Sequence, residues 1–168
     1  DGKVEARHAV GVDVDGNGTA DGAATGGDKM LAMGDLDGDG KITGKEVFGD
    51  QTIDPFTGRK LNAKNGFEAL RMVAESAEKF TGIKCIKNGN VDLKKLKEAM
   101  EFAQIGSLGF ISDDNVSKLE DLGKAKSINV FDYKEQDVSG DIQHRQLGSF
   151  FDDDGKEHKV DDVWFRLT

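Results

Sequence analysis

Apolar residues fall into three regimes along the chain. From about residue 10 to 62 they are sparse and broken up by Asp and Gly. From about 64 to 123 they recur at three- and four-residue steps, and from about 127 to 168 they come in short runs. The regimes predict loops, helices and strands in turn. In the middle regime Phe67, Leu70, Ala74, Ala77 and Phe80 make one apolar face, and Gly82 is placed to stop the helix. A second helix is expected from Asp92, a good N-cap, through Leu93, Leu96, Met100 and Ala103. A third, shorter helix is expected after Ser112, with Val116, Leu119 and Leu122 inward and Gly123 at its end. Ser127–Tyr133 is β-rich. Leu147–Phe151 and Lys159–Phe165 flank Asp152-Asp153-Asp154-Gly155, a hairpin signal. Phe150, Phe151, Trp164 and Phe165 are expected in the core.

Composition sharpens the first regime. The chain holds 22 Gly against 1 Pro, and many of the glycines sit inside Asp/Asn runs such as Asp15-Gly16-Asn17-Gly18 and Asp37-Gly38-Asp39-Gly40. That is the chemistry of ligand loops rather than of a flexible linker. The formal net charge of -9 argues against a nucleic-acid partner, because phosphates would repel it, and in favour of a cation. No apolar run reaches the roughly 18 residues of a membrane helix, so membrane insertion is not expected. The single cysteine, Cys85, excludes an intrachain disulfide and is expected to be a small, semi-buried apolar residue. No signal peptide is visible. The chain starts at Asp1 rather than Met, so a piece of a longer protein is expected.

The twelve residues from Asp35 to Glu46 match an EF-hand loop at each diagnostic position. A hard divalent cation needs six to eight oxygens at about 2.3–2.6 Å. Asp35, Asp37 and Asp39 offer carboxylates at alternate positions, Gly40 permits the sharp turn, and the Lys41 carbonyl adds a backbone oxygen. Thr43 can coordinate directly or through water, and Glu46 closes the shell with two oxygens. Ile42 is expected to point into the core. Calcium is favoured over magnesium because a bidentate Glu suits the larger ion. A second loop runs through Asp13, Asp15, Asn17, Thr19 and Asp21 but has Ala24 where a closing Glu belongs. Asp21 is expected to bind directly, with Asp28 as the borrowed acid. About two calcium ions are therefore expected.

Lys84–Lys95 and Gln104–Asn115 keep the EF-hand rhythm without its ligands. Gly89 and Gly109 fall at the turn positions, and Val91 and Ile111 at the core positions. The reading is a degenerate, metal-free pair, flanked by helices, with Val91 and Ile111 opposite each other. The expected fold is thus α+β, one domain over 1–168. It has a loop-rich N-terminal calcium-binding part (10–62), EF-hand-like helices (64–123) and a small C-terminal antiparallel sheet (127–168). His8, His144 and His158 are scattered and expected at the surface. Asp152–Asp154 read as a solvated hairpin tip, or a weak third cation site.

The order of several short motifs resembles a known family. They are Val12-Asp13-Val14-Asp15-Gly16-Asn17-Gly18, Glu46-Val47-Phe48-Gly49-Asp50, Asn65-Gly66-Phe67-Glu68-Ala69-Leu70, Leu119-Glu120-Asp121-Leu122-Gly123, Ser127-Ile128-Asn129-Val130 and Asp162-Val163-Trp164-Phe165. The series is similar to a calcium-binding region of large secreted bacterial RTX-type proteins, including the self-processing module of iron-regulated RTX proteins. The resemblance implies secretion, calcium-dependent folding outside the cell, and other domains of an adhesin or toxin-like protein as neighbours. Self-processing members cleave an Asp–Pro bond when calcium binds. The one Asp–Pro pair here, Asp54-Pro55, lies inside the region rather than at its N-terminal edge, and reads as a turn. No catalytic set is read from the chain. The functional expectation is a calcium-stabilised module of a secreted, cell-surface protein. The alternatives are self-processing and an intracellular EF-hand sensor, the latter opposed by four dispersed methionines.

Overall fold

The computed structural model describes residues 5–12, 22–25, 29–34, 36, 38, 40, 42–112, 115–131, 134–137 and 142–165. Two helices form the centre of the core. Helix α1 spans Gly66–Thr81 and α2 spans Leu93–Phe102. Asn65 caps α1 by accepting the Glu68 N–H at 2.9 Å. Gly82 ends it at φ +75, the left-handed conformation that glycine adopts without a Cβ penalty. Asp92 caps α2, accepting from the N–H groups of Lys94 and Lys95 at 3.1 Å each. Helix α1 thus stops at Gly82 and α2 starts after Asp92, as expected, and α2 ends one residue before Ala103, the last residue expected in it.

The apolar face of α1 buries Phe67, Leu70, Val73, Ala74 and Ala77 against Leu93, Leu96, Ala99 and Met100 of α2. Phe80, expected on that face, is 55% exposed and stacks on Phe56 with ring centroids 6.0 Å apart. The last turn of α1 overruns the core.

Between the helices lies a short hairpin, β4 (Ile86–Lys87) and β5 (Asn90–Asp92). Its two-residue turn is Asn88-Gly89, with φ +52 and +78. Positive φ at both central residues is the turn that matches strand twist, and Asn-Gly is its preferred sequence. Glu78 of α1 holds the hairpin's entry, accepting from the Cys85 and Ile86 N–H groups at 2.9 and 3.2 Å.

The hairpin is the edge of a six-stranded antiparallel sheet in the order β11-β10-β8-β5-β4, with β9 also paired to β10. Here β8 is Ala125–Asn129, β9 Lys134–Asp137, β10 Ile142–Asp152 and β11 Glu157–Phe165. The expected C-terminal sheet is therefore present, and it recruits the interhelical hairpin as well. The strand expected over Ser127–Tyr133 begins two residues earlier and bends after Asn129. Ile128 and Val130 are buried with the helices, and Phe150 packs against the same cluster. Phe131 is 64% exposed, lying under the Arg71 guanidinium. The side chains of Trp164 and Phe165 lie outside the described residues.

The N-terminal part contains more strand than the loop reading expected. β1 (Glu5–Val12) pairs with β2 (Gly22–Thr25), and β3 (Met30–Ala32) pairs with β6 (Gly109–Ser112). The third expected helix is instead strand β7 (Asn115–Glu120), antiparallel to β6. Gly109 makes this close approach possible, since a Cβ there would meet the Glu120 carbonyl oxygen at 2.2 Å. Leu119 and Leu122, three residues apart and so assigned to one helical face, enter different clusters. Leu119 packs with Ala32, Ile42, Val47 and Ile111, while Leu122 joins the main core.

Candidate metal centre

The loop from 35 to 46 is closed by its neighbours. Ala32 and Val47 form an isolated antiparallel bridge. The Met33 N–H donates to the Glu46 carbonyl at 2.8 Å. The two ends of the acidic segment are thus stitched together at Glu46 and at the residue after it. Within it Gly38 and Gly40 adopt φ +74 and +81. The left-handed turn at Gly40 is the one expected at the loop's sixth position. Ile42 is buried, as expected, with Ala32, Val47 and Ile111.

Glu46, the closing acid, is only 1% exposed. Its Oε1 accepts from the Thr43 N–H at 2.8 Å and from the Thr43 hydroxyl at 3.0 Å. The Glu46 N–H returns a bond to the Thr43 carbonyl at 3.0 Å. A carboxylate removed from water needs compensation by donors or by a cation. Thr43 supplies donors to one oxygen and fixes the side chain's direction. That is a second role for Thr43, beside the ligand or water-bridging role read from the sequence. The buried, oriented acid and the left-handed glycines fit a loop that winds around a hard cation.

The remaining expected ligands lie outside the described residues. They are Asp35, Asp37, Asp39 and Lys41 of this loop and Asp13, Asp15, Asn17, Thr19, Asp21 and Asp28 of the second. Among the described residues no group of three or more His, Cys, Asp or Glu side chains is placed to hold a metal.

The surroundings differ from a helix–loop–helix. Strand β3 precedes the loop, and turns with the Val47 bridge follow it. The segment 84–95 does lie between two helices, but 104–115 passes from α2 into strands β6 and β7. Val91 and Ile111 do not pair. Val91 faces Ile86 and Ile128, and Ile111 faces Met30. The expected EF-hand pairing is therefore corrected: each loop donates its strand to a different sheet.

Asp54-Pro55 sits in a turn. Asp54 is buried, and its carboxyl accepts from the Phe56 N–H at 2.8 Å and from the Ser76 hydroxyl on α1. Its backbone is closed by Asp54 N–H to Arg59 carbonyl and Gly58 N–H to Asp54 carbonyl bonds, both 2.8 Å. The turn reading holds, and the Ser76 bond ties it to the core. Cys85 is buried and its thiol is pushed up to about 12, first by burial and then by Glu78 and Asp92. It behaves as an apolar residue. At the C-terminal hairpin Asp152 is buried rather than solvated. It accepts from the Asp154 and Lys156 N–H groups at 3.0 and 2.9 Å and meets His158 Nε2 at 2.9 Å. Asp153 and Asp154 pair with Lys94 and Lys124. Asp153 and Asp154 are exposed, as expected of a solvated tip, and only Asp152 folds inward.

Two features escaped the sequence reading. Leu36, between two acids of the loop, packs on the main core, and its position between ligand sites was the available signal. The Asn88-Gly89 turn was legible as a dipeptide but was absorbed into the loop rhythm.

Residues 3–166 match the SPM domain family, nearly the whole chain, and the chain belongs to that family. No curated protein and no solved structure matches it.

Proposed function

We propose that this SPM domain is a calcium-binding, calcium-stabilised module of a large secreted bacterial surface or RTX-type protein. One observation carries the reading. The loop has acids at its first, third, fifth and twelfth positions, and its twelfth, Glu46, is buried and held by Thr43. Such a set suits a hard cation that takes six to eight oxygens. The EF-hand likeness is confined to the loop. Calcium would neutralise four carboxylates that the sequence spaces within twelve residues and that otherwise repel one another. The second loop, Asp13–Asp21 with Asp28, would hold another ion. No helix among the described residues is long and apolar enough to cross a membrane.

Secretion belongs to the same reading. A site with Kd of roughly 10⁻⁴–10⁻³ M, as in extracellular modules, would be empty in a cytosol and loaded outside the cell. At free calcium of 100 times Kd, each site adds about 2.7 kcal/mol to stability if it binds only the native state. Thermal unfolding in EDTA and in millimolar calcium tests this. The midpoint is expected to rise with calcium, and an unchanged midpoint ends the proposal.

A further inference from the structure

The described residues form two hydrophobic clusters that abut at consecutive residues. Ala32 belongs to the smaller cluster, with Ile42, Val47 and Ile111. Met33 belongs to the larger, with Met100, Leu108 and the faces of both helices. The acidic loop springs from this junction and returns to it through the Met33–Glu46 hydrogen bond and the Ala32–Val47 bridge.

The loop also inserts a side chain into each cluster. Leu36, its second position, packs against the larger one. Its contact is at the end of α2: a Cβ built on Gly106 would lie 3.0 Å from Leu36 Cδ2, 3.4 Å from the Met33 carbonyl oxygen and 3.8 Å from Met100 Cε. Gly106, at φ +136, is where the chain leaving α2 has room for Leu36. Ile42, the eighth position, enters the smaller cluster beside Ile111 of β6. In the sequence each of these apolar residues lies between two expected ligand positions: Leu36 between Asp35 and Asp37, Ile42 between Lys41 and Thr43.

We propose that the 35–46 loop is the joint between the two clusters, so that cation binding there controls docking of the end of α2 through Leu36 and of β6 through Ile42. This rests on the calcium reading above. Four acids within twelve residues, without a counter-ion, oppose the closure of the loop's ends at Met33 and Glu46. Opening that closure withdraws both apolar side chains. Linkage is reciprocal, so whatever docks them also tightens cation binding. Local opening of this kind is read by amide hydrogen exchange.

The experiment uses the whole chain, with calcium chloride or EDTA, and pairs exchange with titration calorimetry. The N–H groups of Ala103, bonded to the Ala99 carbonyl, and Ile105, bonded to the Met100 carbonyl, report the end of α2. The amides of Gly109–Ser112 report β6. With free calcium at 100 times Kd, both sets are expected to slow by up to roughly 100-fold. Leu36→Ala should still take up calcium by calorimetry and keep the slowing at Gly109–Ser112, but lose it at Ala103 and Ile105. Ile42→Ala should do the reverse. If either truncation fails to fold, Leu36→Val and Ile42→Val should weaken the same reporter selectively.

Calcium heat with slowing confined to 35–46 overturns the inference while leaving the calcium reading intact. So does a folded Leu36→Ala variant that keeps full slowing at Ala103. A native chain that shows no calcium heat fails at the earlier step, and the inference falls with it.

Discussion

Asp152 organises its hairpin through its side chain as well as its backbone. One carboxylate collects two N–H groups of the turn and the His158 ring, which itself stacks on Phe150 with centroids 4.7 Å apart. The His158 hydrogen bond, followed by the Lys156 N–H, lowers its pKa below the ordinary 3.8. A group whose native pKa is depressed contributes stability above its unfolded value and loses it as pH falls through the native one. The Asp152 contribution is therefore complete near neutrality and drains below about pH 4. Asp152→Asn should be less stable than the native chain at pH 7 and should lose less on going to pH 3, measured by urea unfolding at each pH. Equal losses for the two proteins would show that Asp152 does not titrate with folding. The same residue explains why an Asp-Asp-Asp-Gly run was read as solvated: composition marks a turn, but not which acid folds inward.

At the scale of elements, helix α2 begins where Asp92 leaves the sheet, and that residue serves both structures. Its side chain caps Lys94 and Lys95, and its backbone N–H donates to the Cys85 carbonyl at 2.7 Å. Asp92→Ala should remove only the side-chain part and cost about 1 kcal/mol. Asp92→Asn should keep most of it, since Asn caps nearly as well. Chemical denaturation of both variants checks this, and identical losses would place the effect in charge rather than capping. Both helices were legible because an apolar face of period near 3.6 and its end signals are local. Strand β7 was not. Val116, Leu119 and Leu122 are spaced for a helix, and the feature that decides against one is Gly109, whose missing side chain lets β7 lie against β6. In the 35–46 loop the turn at Gly40 and the burial of Ile42 were legible for the same reason as the helices, since both follow from local spacing. The contact of Leu36 at Gly106 joins distant segments, and local pattern carries no trace of it.

For the whole molecule, any stabilisation by calcium would have to be separated into coordination and charge alone. A chain of net charge -9 repels itself in the compact state, and any added salt relieves part of that. Two bound divalent ions would cancel nearly half of the charge, so a rise in midpoint with calcium has two readings. They separate quantitatively. Screening acts on exposed charges within a Debye length of about 8 Å at 0.15 M salt, and exposed pairs are worth about 0–1 kcal/mol each. Coordination at saturating calcium adds about 2.7 kcal/mol per site, which for a chain of this size moves the midpoint by about 5–10 °C per site. Sodium chloride raised from 0.05 to 0.5 M in EDTA should therefore move the midpoint by only a few degrees, while millimolar calcium at constant ionic strength should move it further. Glu46→Gln should abolish one site's share of the calcium shift, about half of it, and leave the sodium shift unchanged, because it removes one buried acid and hardly alters the field of the surface. A sodium shift as large as the calcium shift would mean that the acids of this chain are screened rather than bound, and Glu46 would then be a buried structural acid that Thr43 orients rather than a ligand.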